Sequence, residues 1–204
     1  MNMQVSVILA HPDPASFNHA IARVVLEFLA GTSARVNFHD LCKEQFEPLL
    51  PAEEVARDVT LPDLVAAHCR EIAEADLIII IHPNWWGQPP AMLKGWIDRV
   101  IRPGVAYEFL EGDSGEGVPV GLLRAKLALV FNTSNTEVLR EQQVFGDPLE
   151  TIWKNCIFGL CGVGVVRRKT FAIVITSTEE QRRGWLAEVR QQVEEAWALL
   201  SESQ

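Results

Sequence analysis

The chain has little positive charge, few cysteines and no long apolar run, and each shortage excludes something. Eighteen lysines and arginines stand against 27 aspartates and glutamates, a net charge of −9. Arg167-Arg168-Lys169 is the sole basic cluster, so no element carries the footprint of a nucleic-acid-binding protein. The four cysteines, Cys42, Cys69, Cys156 and Cys161, have no metal-ligand spacing, and no metal centre is expected. Unpaired thiols without a signal peptide fit a reducing, cytoplasmic setting. The most apolar window, around residues 156–166, is too short to span a bilayer. Internal repeats and low-complexity segments are missing too. The chain of 204 residues, 48% hydrophobic and 22% charged, reads as one domain over 1–204 with a substantial core.

Apolar runs and helical stripes alternate along that length. Residues 5–10 predict a buried strand, followed by a helix over 17–30 with Ser16 as N-cap and Gly31 as stop. A strand over 34–38 and a helix over 62–75 precede the run Leu77-Ile78-Ile79-Ile80-Ile81, a third strand. A helix opening at Pro89 or Pro90 carries the stripe Met92, Leu93, Trp96, Ile97, Val100, Ile101. A Gly-rich excursion over 103–121, a strand over 127–131 and a loop over 132–146 follow. Asp147 predicts an N-cap, with Pro148 in the first turn and Glu150 completing a capping box. A fifth strand lies between 163 and 175, and a last helix, capped by Ser177 or Thr178, buries Trp185, Val189, Val193 and Leu200. Strands that are apolar throughout belong to a parallel sheet covered on both faces. Five of them predict an α/β, doubly wound sheet in the flavodoxin-like order 2-1-3-4-5, with a ligand crevice between strands 1 and 3.

Two loops meet at that crevice. The first, His11-Pro12-Asp13-Pro14-Ala15-Ser16-Phe17-Asn18, has neither GxGxxG nor GxxxxGK[ST]. It offers a hydroxyl, an amide and a helix N-terminus, which attracts anions; the alternative is a capped helix with a structural His11. The second, Pro83-Asn84-Trp85-Trp86-Gly87, delivers two adjacent tryptophans. Either both are core, or one walls a pocket for a flat aromatic ligand while the loop backbone meets the edge of a heterocycle. Lys94 and Arg102, each four residues from Asp98, read as an ordinary solvated helix face.

The chain resembles the flavodoxin-fold NAD(P)H:quinone oxidoreductases. The matching residues are Ala10-His11-Pro12, Ser16-Phe17-Asn18, Pro83-x-Trp85-Trp86-Gly87, the helix from Pro90 to Val100, and Gly104-x-Ala106-Tyr107. The resemblance implies a homodimeric flavoprotein with tightly bound FAD or FMN, and NADPH or NADH as co-substrate. By the family pattern His11, Ser16, Phe17 and Asn18 hold the flavin phosphates and ribityl chain, and Pro83, Asn84, Trp85, Trp86 and Gly87 line the isoalloxazine edge. Trp85, Trp86, Tyr107 and Phe109 form the substrate pocket, the last two across the dimer interface.

Two departures stand out. Asn132-Thr133-Ser134-Asn135-Thr136 replaces a Thr-Gly-Gly turn; its hydroxyls and amides still supply hydrogen bonds to the flavin, without glycine's close approach. The family's downstream Tyr and His correspond to Leu139 and Phe145, neither of which donates a proton, so no catalytic acid is assigned. The leading expectation is a reductase passing electrons from NAD(P)H through flavin to a quinone-like small molecule. The alternatives are a flavin-loaded regulatory subunit attached peripherally to a membrane transporter, and an electron carrier.

Overall fold

The computed structural model describes residues 3–110 and 117–202; part of the 103–121 excursion, residues 111–116, lies outside them. In chain order the elements are β1 (Gln4–Leu9), α1 (Phe17–Ala30), β2 (Arg35–Asp40), α2 (Asp63–Glu74), β3 (Leu77–Pro83), α3 (Ala91–Val100), β4 (Tyr107–Glu108), β5 (Val120–Gly121), β6 (Leu127–Ser134), α4 (Val138–Phe145), α5 (Pro148–Thr151), β7 (Val165–Ala172) and α6 (Glu179–Glu202). A π-helical stretch, Ile152–Gly159, continues α5.

β1, β2, β3, β6 and β7 form one parallel sheet in the order β2-β1-β3-β6-β7. That is the expected 2-1-3-4-5 arrangement once β4 and β5, a separate antiparallel pair within the excursion, are set aside. Every residue of β3 and β6 is buried, as continuous apolar runs in a doubly covered sheet require. Alternate strand residues feed two cores. Val5, Val7, Leu9, Ile79, Ile81, Leu129 and Phe131 pack with α1 and α6, whereas Ile8, Ile78, Ile80 and Val130 pack with α2, α3 and Trp153.

Several local expectations are corrected. The 132–146 loop contains α4, whose outward residues Val138, Leu139, Val144 and Phe145 are exposed and whose buried residue is Glu141, so it has no apolar inward stripe to read. Asp147 does not cap α5: it sits at φ +46° with no capping bond, and its carboxylate goes to Arg168. Glu150 likewise pairs with Arg168 and Lys154 rather than closing a capping box. Arg102 is buried, not solvated, and donates to the carbonyls of Glu54 and Ala56. Lys94 keeps its exposed pair with Asp98, at 2.6 Å.

The loop after β2 is fastened by a charged staple. His39 Nδ1 meets Glu44 Oε1 at 2.9 Å while its Nε2 meets Glu71, so both ring nitrogens face carboxylates. Trp96 Nε1–H occupies the lone pair of His68 Nδ1, leaving the His68 proton on Nε2, 3.5 Å from Glu44 Oε2. A cation coordinated by His39, Glu44 and His68 would need the lone pair that Trp96 takes. Burial pulls the His39 pKa down, but the hydrogen bonds and charges of Glu44 and Glu71 outweigh it and leave it raised above 6.5. Burial likewise pushes Glu44 up, and the two histidines outweigh it, bringing it from 4.5 to about 2.

The His39 contribution to stability is therefore complete below pH 6.5 and lost as pH rises through the raised folded value. The Glu44 contribution is complete above pH 4.5 and lost as pH falls towards about 2. Melting temperature measured against pH is expected to fall on both sides of that interval. Replacing His39 by Gln should flatten the alkaline arm; parallel curves for variant and parent would refute the staple.

Candidate active site

The C-terminal ends of β1, β3 and β6 open onto one crevice, and the register of the sheet sets what lines it. Leu9 pairs with Ile81, and Pro83 pairs with Thr133, so the chain leaves all three strands at about the same height. The Asn84 N–H donates to the Thr133 carbonyl at 2.7 Å, holding the loop after β3 to the end of β6. There the chain makes a two-residue turn. Trp85 and Gln88 exchange backbone hydrogen bonds at 3.1 and 3.2 Å, with Trp86 at φ +58° and Gly87 at φ +71°. Positive φ at both central residues marks a type I′ turn. Glycine meets it freely and closely: a Cβ on Gly87 would sit 3.1 Å from Pro148. Tryptophan at such a φ is rare, and Trp86 is 100% exposed while Trp85 is 45% exposed. Neither tryptophan is core; a strained backbone holding an aromatic ring in solvent points to a ligand.

The first loop supplies the opposite wall. Ser16 caps α1, its Oγ accepting the His19 N–H at 3.4 Å, and also meets His19 Nδ1 at 2.9 Å. His19 Nε2 lies 3.1 Å from Asp40, so the ring is held between hydroxyl and carboxylate. The ladder of α1 leaves over the first-turn N–H groups of Phe17 and Asn18. Asn18 is buried; its Nδ2 donates to Thr133 Oγ1 at 2.9 Å, while its Oδ1 has no hydrogen-bond partner. The His11 ring lies 6.0 Å from that of Trp85, and burial holds its pKa below the usual value.

Beneath the two loops a buried polar network fixes the strand ends. His82 Nδ1–H donates to the Pro83 carbonyl at 2.8 Å, so Nε2 accepts from Asn132 Nδ2 at 2.7 Å and Trp153 Nε1 at 2.9 Å. Complete burial lowers the His82 pKa to about 4, which keeps the ring neutral and this tautomer in place. Arg168 extends the network to Asn132 Oδ1, Thr170, Asp147 and Glu150.

The resulting cavity, about 790 Å³, gathers nearly all of the expected cofactor residues: His11, Ser16, Phe17, Asn18, Pro83, Asn84, Trp85, Trp86, Gly87, Thr133, Ser134 and Asn135. Asn132 is the exception, since it is fully buried and spent on His82 and Arg168. Tyr107 and Phe109 do not line the cavity of this single chain; they stack edge to face on each other, 5.9 Å apart. Leu139 is exposed and also lies outside it, whereas Phe145 lines it. Glu141, Pro148, Val174 and Ile175 are lining residues that sequence reasoning missed. Glu141, one turn before Phe145 on an unrecognised helix, had no periodic apolar signal to reveal it.

A family model described as flavodoxin-like fold matches residues 3–195. The chain belongs to the flavodoxin-fold NAD(P)H:quinone oxidoreductase family. A Haemophilus influenzae protein named as an uncharacterized NAD(P)H oxidoreductase is 31% identical over 203 residues, covering 97% of this chain and 98% of the relative. The mouse ribosyldihydronicotinamide dehydrogenase [quinone] is 29% identical over 219 residues, covering 95% and 92%. The structure of an NAD(P)H:quinone oxidoreductase from Methanothermobacter marburgensis superposes with a TM-score of 0.78 at 24% identity, covering 95% of each chain, a likeness of fold. Among the described residues no helix is long and apolar enough to cross a membrane.

Proposed function

We propose that the cavity holds a flavin, FMN or FAD, and that the protein reduces quinone-like aromatic compounds with electrons from NADH or NADPH. The observation that carries this reading is the buried Asn18 Oδ1, left without a partner in a cavity whose rim displays two exposed tryptophan rings. A helix N-terminus for phosphate, hydroxyls and amides for a ribityl chain, and flat aromatic walls for a tricyclic ring are the donor set a flavin needs. Bound there, the flavin supplies the hydride and electron chemistry that no side chain can.

The residues of the chain do the positioning. Ser16, Phe17 and Asn18 hold the phosphate and ribityl portion, Thr133, Ser134 and Asn135 offer further polar contacts, and Trp85 and Trp86 flank the ring. Neither Leu139 nor Phe145 can exchange a proton, so neither serves as a proton donor to the ring. Tyr107 and Phe109 fit a role in a neighbouring copy. Leu110, Val118 and Val120 on the same excursion, and Leu122 just after it, leave apolar side chains exposed, which supports a homodimer whose contact covers them.

Loaded with FMN or FAD, the protein is expected to oxidise NADH or NADPH in a quinone-dependent manner. Because donor and acceptor share one site in turn, double-reciprocal plots should be parallel. Intersecting lines, or no turnover with either nucleotide, would contradict the reading.

A further inference from the structure

Among the described residues two carboxylates, Asp13 and Glu141, and no lysine or arginine line the cavity. They differ in setting. Asp13 Oδ1 accepts the Ala15 N–H at 2.8 Å in an exposed loop. Glu141 is only 7% exposed, and its Oε1 has no hydrogen-bond partner. A buried carboxylate oxygen without a donor is costly, and it persists where a ligand uses it. Glu141 lies one turn before Phe145, which also lines the cavity, and its carbonyl accepts the Asp147 N–H at 2.9 Å. That segment ends at Pro148, the residue packed against Gly87 in the tryptophan turn. Among the described residues no lysine or arginine forms an ion pair with Glu141: Arg168 is paired with Asp147 and Glu150, and Arg140 lies over the ring of Phe145 at 5.4 Å. His11, the remaining basic group of the lining, is shifted by burial towards its neutral form.

We propose that Glu141 sets the reduction potential of the flavin ring by placing an unneutralised carboxylate in the cavity that holds it. The inference rests on the flavin reading above. A hydride, two electrons with one proton, leaves the nicotinamide, which becomes the oxidised cation, and adds one negative charge to the bound ring. A second proton, from water, cancels that charge. Until it arrives, a fixed carboxylate in a partly dry cavity opposes the added charge more strongly than it would in water. The oxidised ring, being neutral, meets no such opposition. Glu141 therefore weakens binding of reduced flavin relative to oxidised flavin and lowers the potential. The loaded protein becomes a stronger reductant towards its acceptor, without a proton-donating side chain.

The test is spectroelectrochemical titration of the FMN-loaded protein and its Glu141→Gln variant, with dissociation constants for oxidised and reduced FMN. Glu141→Gln keeps the shape and removes the charge. It is expected to raise the potential by about 30 mV or more, the equivalent of a tenfold change for two electrons. Oxidised FMN should bind within about threefold of the parent, a difference well under 1.4 kcal/mol. The parent alone should bind reduced FMN at least tenfold more weakly than oxidised FMN. Potentials agreeing within about 10 mV would overturn the role of Glu141 and leave the flavin reading standing. If the variant does not fold, equal affinity of the parent for both redox states overturns it. A parent that binds neither FMN nor FAD removes the flavin reading itself, and this inference with it.

Discussion

Replacing Trp85 by alanine is expected to weaken flavin binding at least tenfold, about 1.4 kcal/mol, while leaving the melting temperature near that of the parent. The two effects separate because Trp85 is 45% exposed and belongs to neither hydrophobic core, its ring standing 6.0 Å from that of His11 at the rim of the cavity. Truncating an exposed side chain changes stability by about 0.5 kcal/mol or less. A ring held against a flat ligand, in contrast, contributes both buried area and aromatic contact, the latter alone worth about 0.5–1.5 kcal/mol. Trp85→Phe, which keeps a smaller ring, should fall between the two. Titration of the apoprotein with FMN, followed by the change in flavin fluorescence, reads the affinity directly. An unchanged dissociation constant in Trp85→Ala would remove the tryptophan turn from the binding site.

The largest stability effect is expected at Arg99. Arg99 and Glu54 are each 4% exposed, with Arg99 Nε 2.9 Å from Glu54 Oε2 and a second contact from the guanidinium to Oε1. The same guanidinium also donates to the Glu47 carbonyl, so it clamps the loop after β2 onto α3. Gly95, one turn earlier, lets that loop lie against the helix, since a Cβ there would meet Pro48 backbone at 2.0 Å. Arg99→Met would leave the Glu54 carboxylate buried without its partner. Removing one member of such a pair typically costs about 3–5 kcal/mol. Lys94, on the same helix, pairs with Asp98 but is 55% exposed, and Lys94→Met should change stability by less than about 0.5 kcal/mol. Urea denaturation of the two variants beside the parent checks the contrast. A loss below about 1 kcal/mol in Arg99→Met would show that the pair contributes little.

These two residues also mark where the sequence was legible. The strands of the sheet could be read because full burial demands unbroken apolar runs, and Leu77 to Ile81 has no other use. Strand order followed from their number and parallel character. The loops at the crevice could be located, because a chain leaving adjacent parallel strands must turn there, and motif similarity then supplied their residues. Polar burial was invisible. Arg99 went unnoticed, and Arg102 was assigned to a solvated face, since a charged residue at helical spacing looks the same whether its partner is water or a distant loop carbonyl. Glu141 escaped for the same reason, and Asp147 reads as an N-cap although its carboxylate is spent on Arg168. The partner of Asp147, Arg168, is brought from β7 across the sheet, a distance in sequence that no local pattern shows. Trp86 is the converse case: its composition suggested the core, and only its left-handed backbone explains why it stands fully in solvent.

The central claim is that the cavity between the His11–Asn18 loop and the tryptophan turn holds a flavin that accepts electrons from a nicotinamide nucleotide. The most direct measurement is the visible absorbance spectrum of the protein incubated with FMN or FAD, freed of unbound flavin, and titrated anaerobically with NADH and then NADPH. A retained flavin band that bleaches with at least one nucleotide, and returns when a quinone is added, is the predicted result. No retained band with either flavin, or a retained band that neither nucleotide bleaches, would contradict it.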